Sequence, residues 1–423
     1  MASDSELLVA ADPESNPTAT TISSLARDEL LEIFLRLPDL PALARAAFTC
    51  RTWLGAVRSS PSFRRRFRAL HPAPLIGFFL DTYGAPTPSF FPVRPLDPDV
   101  TAAVRRGDFF LTSLPAPASL KWNVADCCDG YILLWDTTEV ALAALNPITW
   151  AVHSLPMPPD DIRADAENAE DIWADADNAS WSDADNLGGF TFLGFHILSS
   201  EDNPRSFRVV CVCSDEYRVR AAVFSSETWD WVIHPWVEGQ TMRANDGMMA
   251  AGSIYWPCPS YGTGSMIKID TATMDNTTLD MPNGVDMGAG SIKVGETKDG
   301  ELCIARASYD LLLNVWIHSV DGDGIQGWTP HRTFSMSSEI DRVSQGWARH
   351  YDGDLEVVQV KNGCVYLSAK LMCPLGALCR WVFSLSLETM KLALLVEGRY
   401  DGPGYPYIMA WPPSLVGDDQ LEL

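Results

Sequence analysis

The chain contains no C-x-x-C pair, no G-x-S-x-G, no H-E-x-x-H and no Walker-type loop. The familiar signatures of zinc modules, serine hydrolases, metalloproteases and nucleotide-binding enzymes are therefore missing. Its ten cysteines (50, 127, 128, 211, 213, 258, 303, 364, 373 and 379) and seven histidines do not cluster, and neither Cys127-Cys128 nor Cys211-Val-Cys213 has the second ligand pair that tetrahedral zinc requires. Reduced, packed thiols are expected, with Cys211 and Cys213 on one strand face. Tyr261-Gly-Thr-Gly-Ser265 is Gly-rich but lacks the lysine and the strand-to-helix setting of a phosphate cradle. No catalytic residue, metal or cofactor is predicted.

Positive charge is also scarce. There are 31 Lys and Arg against 55 Asp and Glu, a net charge of −24. That balance argues against a nucleic-acid partner, because phosphate backbones require a basic face. The charge is uneven: Thr21 to His71 holds nine Arg against four acids, net +5, so the remainder carries −29 and acidic partners are not expected on the larger domain. Long hydrophobic runs are missing too; Pro74 to Leu80 and Leu392 to Val396, among the longest, cannot cross a bilayer, and no basic region followed by an apolar one opens the chain. A soluble, intracellular protein, cytoplasmic and/or nuclear and without a membrane partner, is expected.

What is present begins with Ser24 to Leu70. Leu30, Ile33, Phe34 and Leu37 fall at i, i+3, i+4 and i+7, one apolar helical stripe that Pro38 stops. Ser23 or Ser24 is placed to cap it, and Asp28 and Glu29 suit its first turns. A second helix follows with Pro41 in its first turn and Leu40, Leu43, Ala44 and Ala47 at helical spacing. Cys50-Arg51-Thr52-Trp53-Leu54 opens a third, and Ser60-Pro61 with Phe63, Phe67 and Leu70 a fourth. Two readings fit: the core of a small helical domain, or a docking module with more apolar surface than so short a unit buries alone.

The order L-x-x-D/E-L-L-x-x-I-F-x-R-L-P, then L-x-x-L, then C-R-x-W resembles the F-box. In that family the motif docks substrate receptors of cullin-based ubiquitin ligases on a Skp-family adaptor. The resemblance implies an adaptor-binding set of Leu25, Leu30, Ile33, Leu37, Pro38, Leu40, Leu43, Cys50, Arg51 and Trp53, with a cullin reached through the adaptor. One departure is plain: the usual Leu-Pro opening is Leu25-Ala26 here, which removes a first-turn stiffener.

Residues 1–20, rich in Ala, Ser, Asp, Pro and Thr, read as a disordered tail, 21–71 as the helical module, and 412–423 as a C-terminal tail. From Leu75 the pattern becomes short β-type runs broken by Gly, Pro, Asp and Asn, among them Leu75 to Leu80, Tyr131 to Trp135, Phe207 to Val212, Leu302 to Ala305 and Trp381 to Leu385. A loose repeat underlies them. A turn pair (Asp129-Gly130, Asp246-Gly247, Asp299-Gly300, Asn362-Gly363) precedes an apolar strand, and a later segment ends in Thr149-Trp150, Thr228-Trp229, Thr273-Met274 or Thr389-Met390. Units of about forty to fifty residues suit propeller blades. The expectation is an all-β domain over 75–411, a β-propeller of about six blades whose last segment, Tyr400 to Trp411, completes an earlier one; a β-sandwich pair also fits the turns.

This region resembles the F-box-associated β-propeller of plant F-box proteins, in which G-x-L-L-L-W, N-P-x-T-x-x-W and L-P recur; here they stand as Gly130 to Trp135, Asn146 to Trp150 and Leu155-Pro156. The resemblance implies a non-catalytic substrate receptor of a Skp–cullin–F-box ubiquitin ligase that holds an unidentified protein target. The competing classes are a propeller enzyme of hydrolase or lyase type and an F-box adaptor outside ubiquitin transfer. Within an acidic loop over 159–187, Asp161 to Glu170 is followed by a near copy, Asp171 to Ser180, and a partial third. It lacks the D-x-D/N-x-D/N-G pattern of a calcium loop and reads as a mobile insertion.

Overall fold

The computed structural model describes residues 25–416 except 83, 95, 115–120, 137–139, 165–189, 200–202, 204, 216–217, 240–246, 259–263, 284, 286–289, 321–325, 345–350, 373–377 and 399–403. The chain divides into two compact units, one holding the helices up to His71 and the other Pro72–Val416. No described helix is long and apolar enough to cross a membrane.

The first unit has four helices: α1 (Arg27–Phe34), α2 (Leu40–Ala47), α3 (Arg51–Arg58) and α4 (Pro61–Leu70). Asp39 caps α2 by accepting from Ala42 N–H at 2.8 Å, and Ser60 caps α4 by accepting from Phe63 N–H at 3.4 Å, with prolines in both first turns. Ser23 and Ser24 lie outside the described residues. Ala26 takes the N-cap position of α1, and its N–H donates to the Glu29 carboxylate at 3.0 Å. A proline at 26 would have no N–H to donate, so the departure at this position exchanges ring stiffness for a hydrogen bond.

The second unit opens with β1 (Leu75–Leu80) and β2 (Ser89–Pro92), followed by α5 (Pro98–Arg106). Antiparallel meanders come next: β3 (Trp122–Cys128), β4 (Tyr131–Asp136), β5 (Ala141–Asn146) and β6 (Ala151–Leu155), then β7 (Thr191–Ser199), β8 (Phe207–Ser214), β9 (Arg218–Ser225) and β10 (Asp230–Ile233), with the short β11 (Val237–Glu238) also paired to β9. A third comprises β12 (Met248–Ala250), β13 (Ser253–Cys258), β14 (Ser265–Asp270) and β15 (Asn276–Asp280). After it come β16 (Ser291–Glu296), β17 (Leu302–Ala307), β18 (Leu312–Val320) and β19 (Gln326–Ser335), then α6 (Ser337–Val343), then β20 (Tyr351–Lys361), β21 (Cys364–Met372), β22 (Leu378–Ser386) and β23 (Leu392–Gly398). Finally β24 (Gly404–Ile408) returns to pair antiparallel with β1.

The first strand of each meander is innermost. β3 lies beside β7, β12 beside β16, β16 beside β20, and β24 beside both β20 and β3. This radial arrangement of antiparallel sheets, with cores between neighbouring sheets rather than within one layer, is a β-propeller. Counted by continuous hydrogen bonding, the described residues form five sheets, not six, because a parallel pairing of Gly295 with Val360 fuses β16–β19 and β20–β23 into one of eight strands. The reason is local: a Cβ at residue 295 would overlap the Val360 carbonyl, so only glycine lets these inner strands meet.

Two kinds of turn repeat, and side-chain chemistry accounts for both. Asp129-Gly130 and Asn362-Gly363 have positive φ at both positions, the hairpin geometry these pairs favour. The turn before the strand at Ser253 is Ala251-Gly252, both at positive φ; of the Asp246-Gly247 pair, Asp246 lies outside the described residues. Gly247 serves a different need, since a Cβ there would strike His196 Nε2 and the Trp256 ring. At the outer hairpins, Trp150, Trp229, Met274 and Met390 all take positive φ. The Asn, Asp or Ser that opens three of these turns accepts a backbone N–H: Asn146 from Thr149 at 3.3 Å, Asp270 from Ala272 at 2.8 Å, and Ser386 from Thr389 at 3.2 Å.

Three findings depart from expectation. Helices α5 and α6 interrupt a domain read as strands alone, although Asp97 before Pro98 and Arg105-Arg106-Gly107 at the far end are start and stop signals. Cys379 is disulfide-bonded, where reduced thiols were expected. The start of the acidic insertion packs: Asp160–Arg163 form a 3-10 turn, and Ile162 is 1% exposed, while the copies from 165 onward lie outside the described residues.

Candidate functional site

The helical unit sorts the ten implied docking residues by burial. Leu30, Leu40 and Leu43 are buried and form its core with Leu31, Phe34, Leu35, Ala47, Val57, Phe63 and Phe67. The i, i+3, i+4, i+7 stripe is thus split. Leu30 and Phe34 point inward, Ile33 is 40% exposed, and Leu37 is half-buried in the turn after α1. Pro38, Cys50 and Arg51 are exposed, and Leu25 and Trp53 half-buried. Phe34 meets Trp53 edge-on with centroids 5.4 Å apart, which holds α1 against α3.

Of the exposed members, Pro38 and Cys50 lie on the connections that flank α2, Ile33 lies on α1 and Arg51 opens α3. Phe48, 53% exposed, belongs with them and was missed in the sequence. It is the C-cap of α2 and falls at i+8 of the Leu40, Leu43, Ala44, Ala47 spacing, so in sequence it looks like one more residue of a buried stripe. Two further contacts fix the unit. The Arg66 guanidinium donates to Glu32 at 2.6 Å and holds that exposed carboxyl below the usual range, and a His71 ring nitrogen lies 3.1 Å from the Leu35 carbonyl oxygen.

In the propeller, polar groups collect on the inner strands. The Asp126 carboxylate accepts from Ile197 N–H at 3.0 Å and lies 3.3 Å from His196 Nδ1, so β3 is tied to β7. Lys361, at the end of β20, is held protonated by Cys128 and, against its own burial, by Asp129, Glu296 and Asp126. Burial pushes the Cys128 thiol well up, so it is neutral at physiological pH and the carboxylates supply the attraction. Burial also pushes Asp81 up to about 6, with Lys121 opposing. Burial keeps Cys127, Cys211 and Cys213 protonated as well, which fits packed thiols rather than nucleophiles. Among the described residues no three His, Cys, Asp or Glu side chains are grouped to hold a metal ion.

A small helical unit with exposed apolar residues, followed by a β-propeller, is the architecture the structure defines. A family model described as "F-box protein AT5G49610-like, beta-propeller" matches residues 123–415. The chain belongs to that family. No curated protein sequence matches it.

Several solved structures are similar at a distance. A protein from Lactobacillus plantarum shares 12% identity over 66% of this chain and 71% of its own, with a TM-score of 0.35. A luciferin-regenerating enzyme shares 11% over 67% and 77%, TM-score 0.33, and a chain of a nidogen/laminin complex 11% over 67% and 80%, TM-score 0.31. Likeness at this level carries nothing about activity.

Proposed function

We propose that this protein is the substrate receptor of a Skp–cullin–F-box ubiquitin ligase, itself non-catalytic, working in the cytoplasm, the nucleus or both. The helical module over 21–71 docks a Skp-family adaptor and through it a cullin; the propeller over 75–411 holds a protein target. Its contribution to ubiquitin transfer is proximity, raising the local concentration of target lysines near an enzyme recruited by other subunits. The observation that carries this reading is family membership, joined to an F-box-like helical unit that leaves Ile33, Leu37, Pro38, Phe48, Cys50 and Arg51 at or near its surface. The inner-strand neighbours β20, β24, β3 and β7 in one run and β12, β16 and β20 in another favour six blades, with β1, β2 and β24 forming the closing one.

The burial pattern selects the test. Leu30 and Leu43 are core, so truncating them would destabilise the unit and report nothing about docking. Leu37 and Pro38 lie at the surface, so Leu37→Ala/Pro38→Ala should leave the fold intact. Interface anchors cost about 2 kcal/mol or more on truncation, a roughly thirtyfold loss of affinity. Pull-down with a purified Skp-family adaptor, followed by co-purification of a cullin, should succeed with the wild type and fail with the double variant. A wild type that binds no adaptor rejects the reading. One that binds adaptor without a cullin belongs outside ubiquitin transfer.

A further inference from the structure

The stretch after α5 is built to hold an aromatic ring in solvent. Phe110 is 86% exposed, yet its neighbours Phe109 and Leu111 are buried in the core between β1, α5 and β3–β5. The buried carboxylate of Asp108 locks the turn, accepting from Thr112 N–H and Oγ1–H at 2.8 and 2.7 Å and from Ser113 N–H and Oγ–H at 2.8 and 2.6 Å. Leu111 takes φ +54, a conformation costly for a non-glycine residue. Four hydrogen bonds and a strained backbone thus fix a loop whose tip is an uncovered phenyl ring.

A second aromatic is tied to the backbone just before this turn. Asp108 N–H donates to the Pro147 carbonyl at 2.8 Å, and the Trp150 indole N–H to the Arg106 carbonyl at 2.8 Å, which brings the 146–150 turn against 106–108. Trp150 remains 53% exposed. Arg105 and Arg106 end α5 at the same place, both exposed, and among the described residues neither has an acidic partner.

We infer that Phe110, Trp150, Arg105 and Arg106 form a preorganised docking surface for an acidic segment of a partner protein that carries an aromatic or large aliphatic residue. Exposed rings flanked by arginines are the chemistry of binding hot spots, and a loop ordered in advance spares the entropy of ordering it on binding. Charge complementarity selects the occupant locally: although the chain outside the helical module is acidic as a whole, Arg105 and Arg106, without acidic partners among the described residues, favour carboxylates, and the rings supply the apolar contact. This rests on the receptor reading and locates the target-binding surface, but its test does not need the adaptor.

The full chain is titrated with two fluorescein-labelled nonapeptides, each with a central Phe, one flanked by Asp and Glu and the other by Lys. The acidic peptide should bind and the basic one should not. Phe110→Ser should weaken binding by about tenfold or more, and Arg105→Gln/Arg106→Gln comparably, with circular dichroism and melting temperature unchanged. Arg105→Glu/Arg106→Glu should reverse the preference toward the basic peptide. Equal binding of both peptides, no binding of the acidic one, or an acidic-peptide affinity indifferent to Phe110→Ser would overturn the inference. So would sedimentation showing a dimer that Phe110→Ser dissociates, since a second copy would then be the occupant. If adaptor pull-down fails while the acidic peptide binds as expected, the ligase reading falls and the surface stands.

Discussion

Asp81 shows how one carboxyl couples the propeller to pH. It follows β1, where burial pushes it up to about 6 and Lys121 only partly compensates. The native state therefore binds more protons than the unfolded one between pH 4 and pH 6, so stability is present below the unfolded value and is lost as pH rises through the folded one. A shift of about two units amounts to roughly 3 kcal/mol at most, and about 1–2 kcal/mol after allowing for solvent around a half-buried group. Asp81→Asn should raise unfolding free energy in urea by that amount at pH 7 and give no advantage at pH 4. An equal gain at both pH values would show that burial of the charge is not what matters. Nothing in the sequence marks this residue, because its pKa depends on what β24 and β3 bring against it.

Among the larger elements, the acidic insertion carries a packed turn at its start. The Arg220 guanidinium donates to the carbonyls of Asp161, Ile162 and Ala164 at 3.1 to 3.2 Å, and it stacks 4.6 Å from the Trp236 ring, whose indole N–H donates to Ala164 at 2.9 Å. Arg163 lies over Phe190 at 5.5 Å, which brings the two flanks of the insertion together. Excising 165–189 and joining the flanks with a short Gly linker should therefore leave the melting temperature within a few degrees, since loop length costs little entropy. Excision from Asp161 removes buried Ile162 as well and should cost about 2 kcal/mol or more, several degrees for a domain of this size. Scanning calorimetry of both deletions separates the cases; equal losses would mean that the packed turn contributes nothing. The composition made the insertion visible, but its ten-residue repeat includes Ile162 and gives no sign that one copy is anchored.

For the whole molecule, stability depends on closure by the last strand. β24 pairs with β1, and buried Tyr407 donates its hydroxyl proton to the Gly130 carbonyl at 2.9 Å, more than 270 residues away in sequence, while its ring packs on Phe79 and Phe109. Truncation after Gly398 leaves the edge of β1 unpaired and the core between α5 and β3–β5 open to water. That chain should be insoluble or lack a cooperative unfolding transition. A soluble monomer with a wild-type melting profile would mean the ring does not need its last strand.

Much of this architecture is legible without coordinates. Period-3.6 spacing over Leu30 to Leu70 and the proline caps mark four helices, and apolar runs such as Tyr131–Trp135 and Trp381–Leu385 lie inside β4 and β22, because hydrophobic periodicity and turn chemistry act over a few residues. The same locality limits the reading of the site. A stripe records which residues are apolar, not which partner covers them, so buried Leu43 and exposed Ile33 look alike in sequence, and Phe48 and Phe110 look like any core phenylalanine. Likewise, Asp108 is an unremarkable letter and Trp150 only the end of a repeated segment until Asp108 and Pro147 are folded into contact. Local order is set by neighbours in the chain and is therefore written there. Exposure, proton affinity and ring closure are set by groups tens to hundreds of residues apart, and only the tertiary structure decides them.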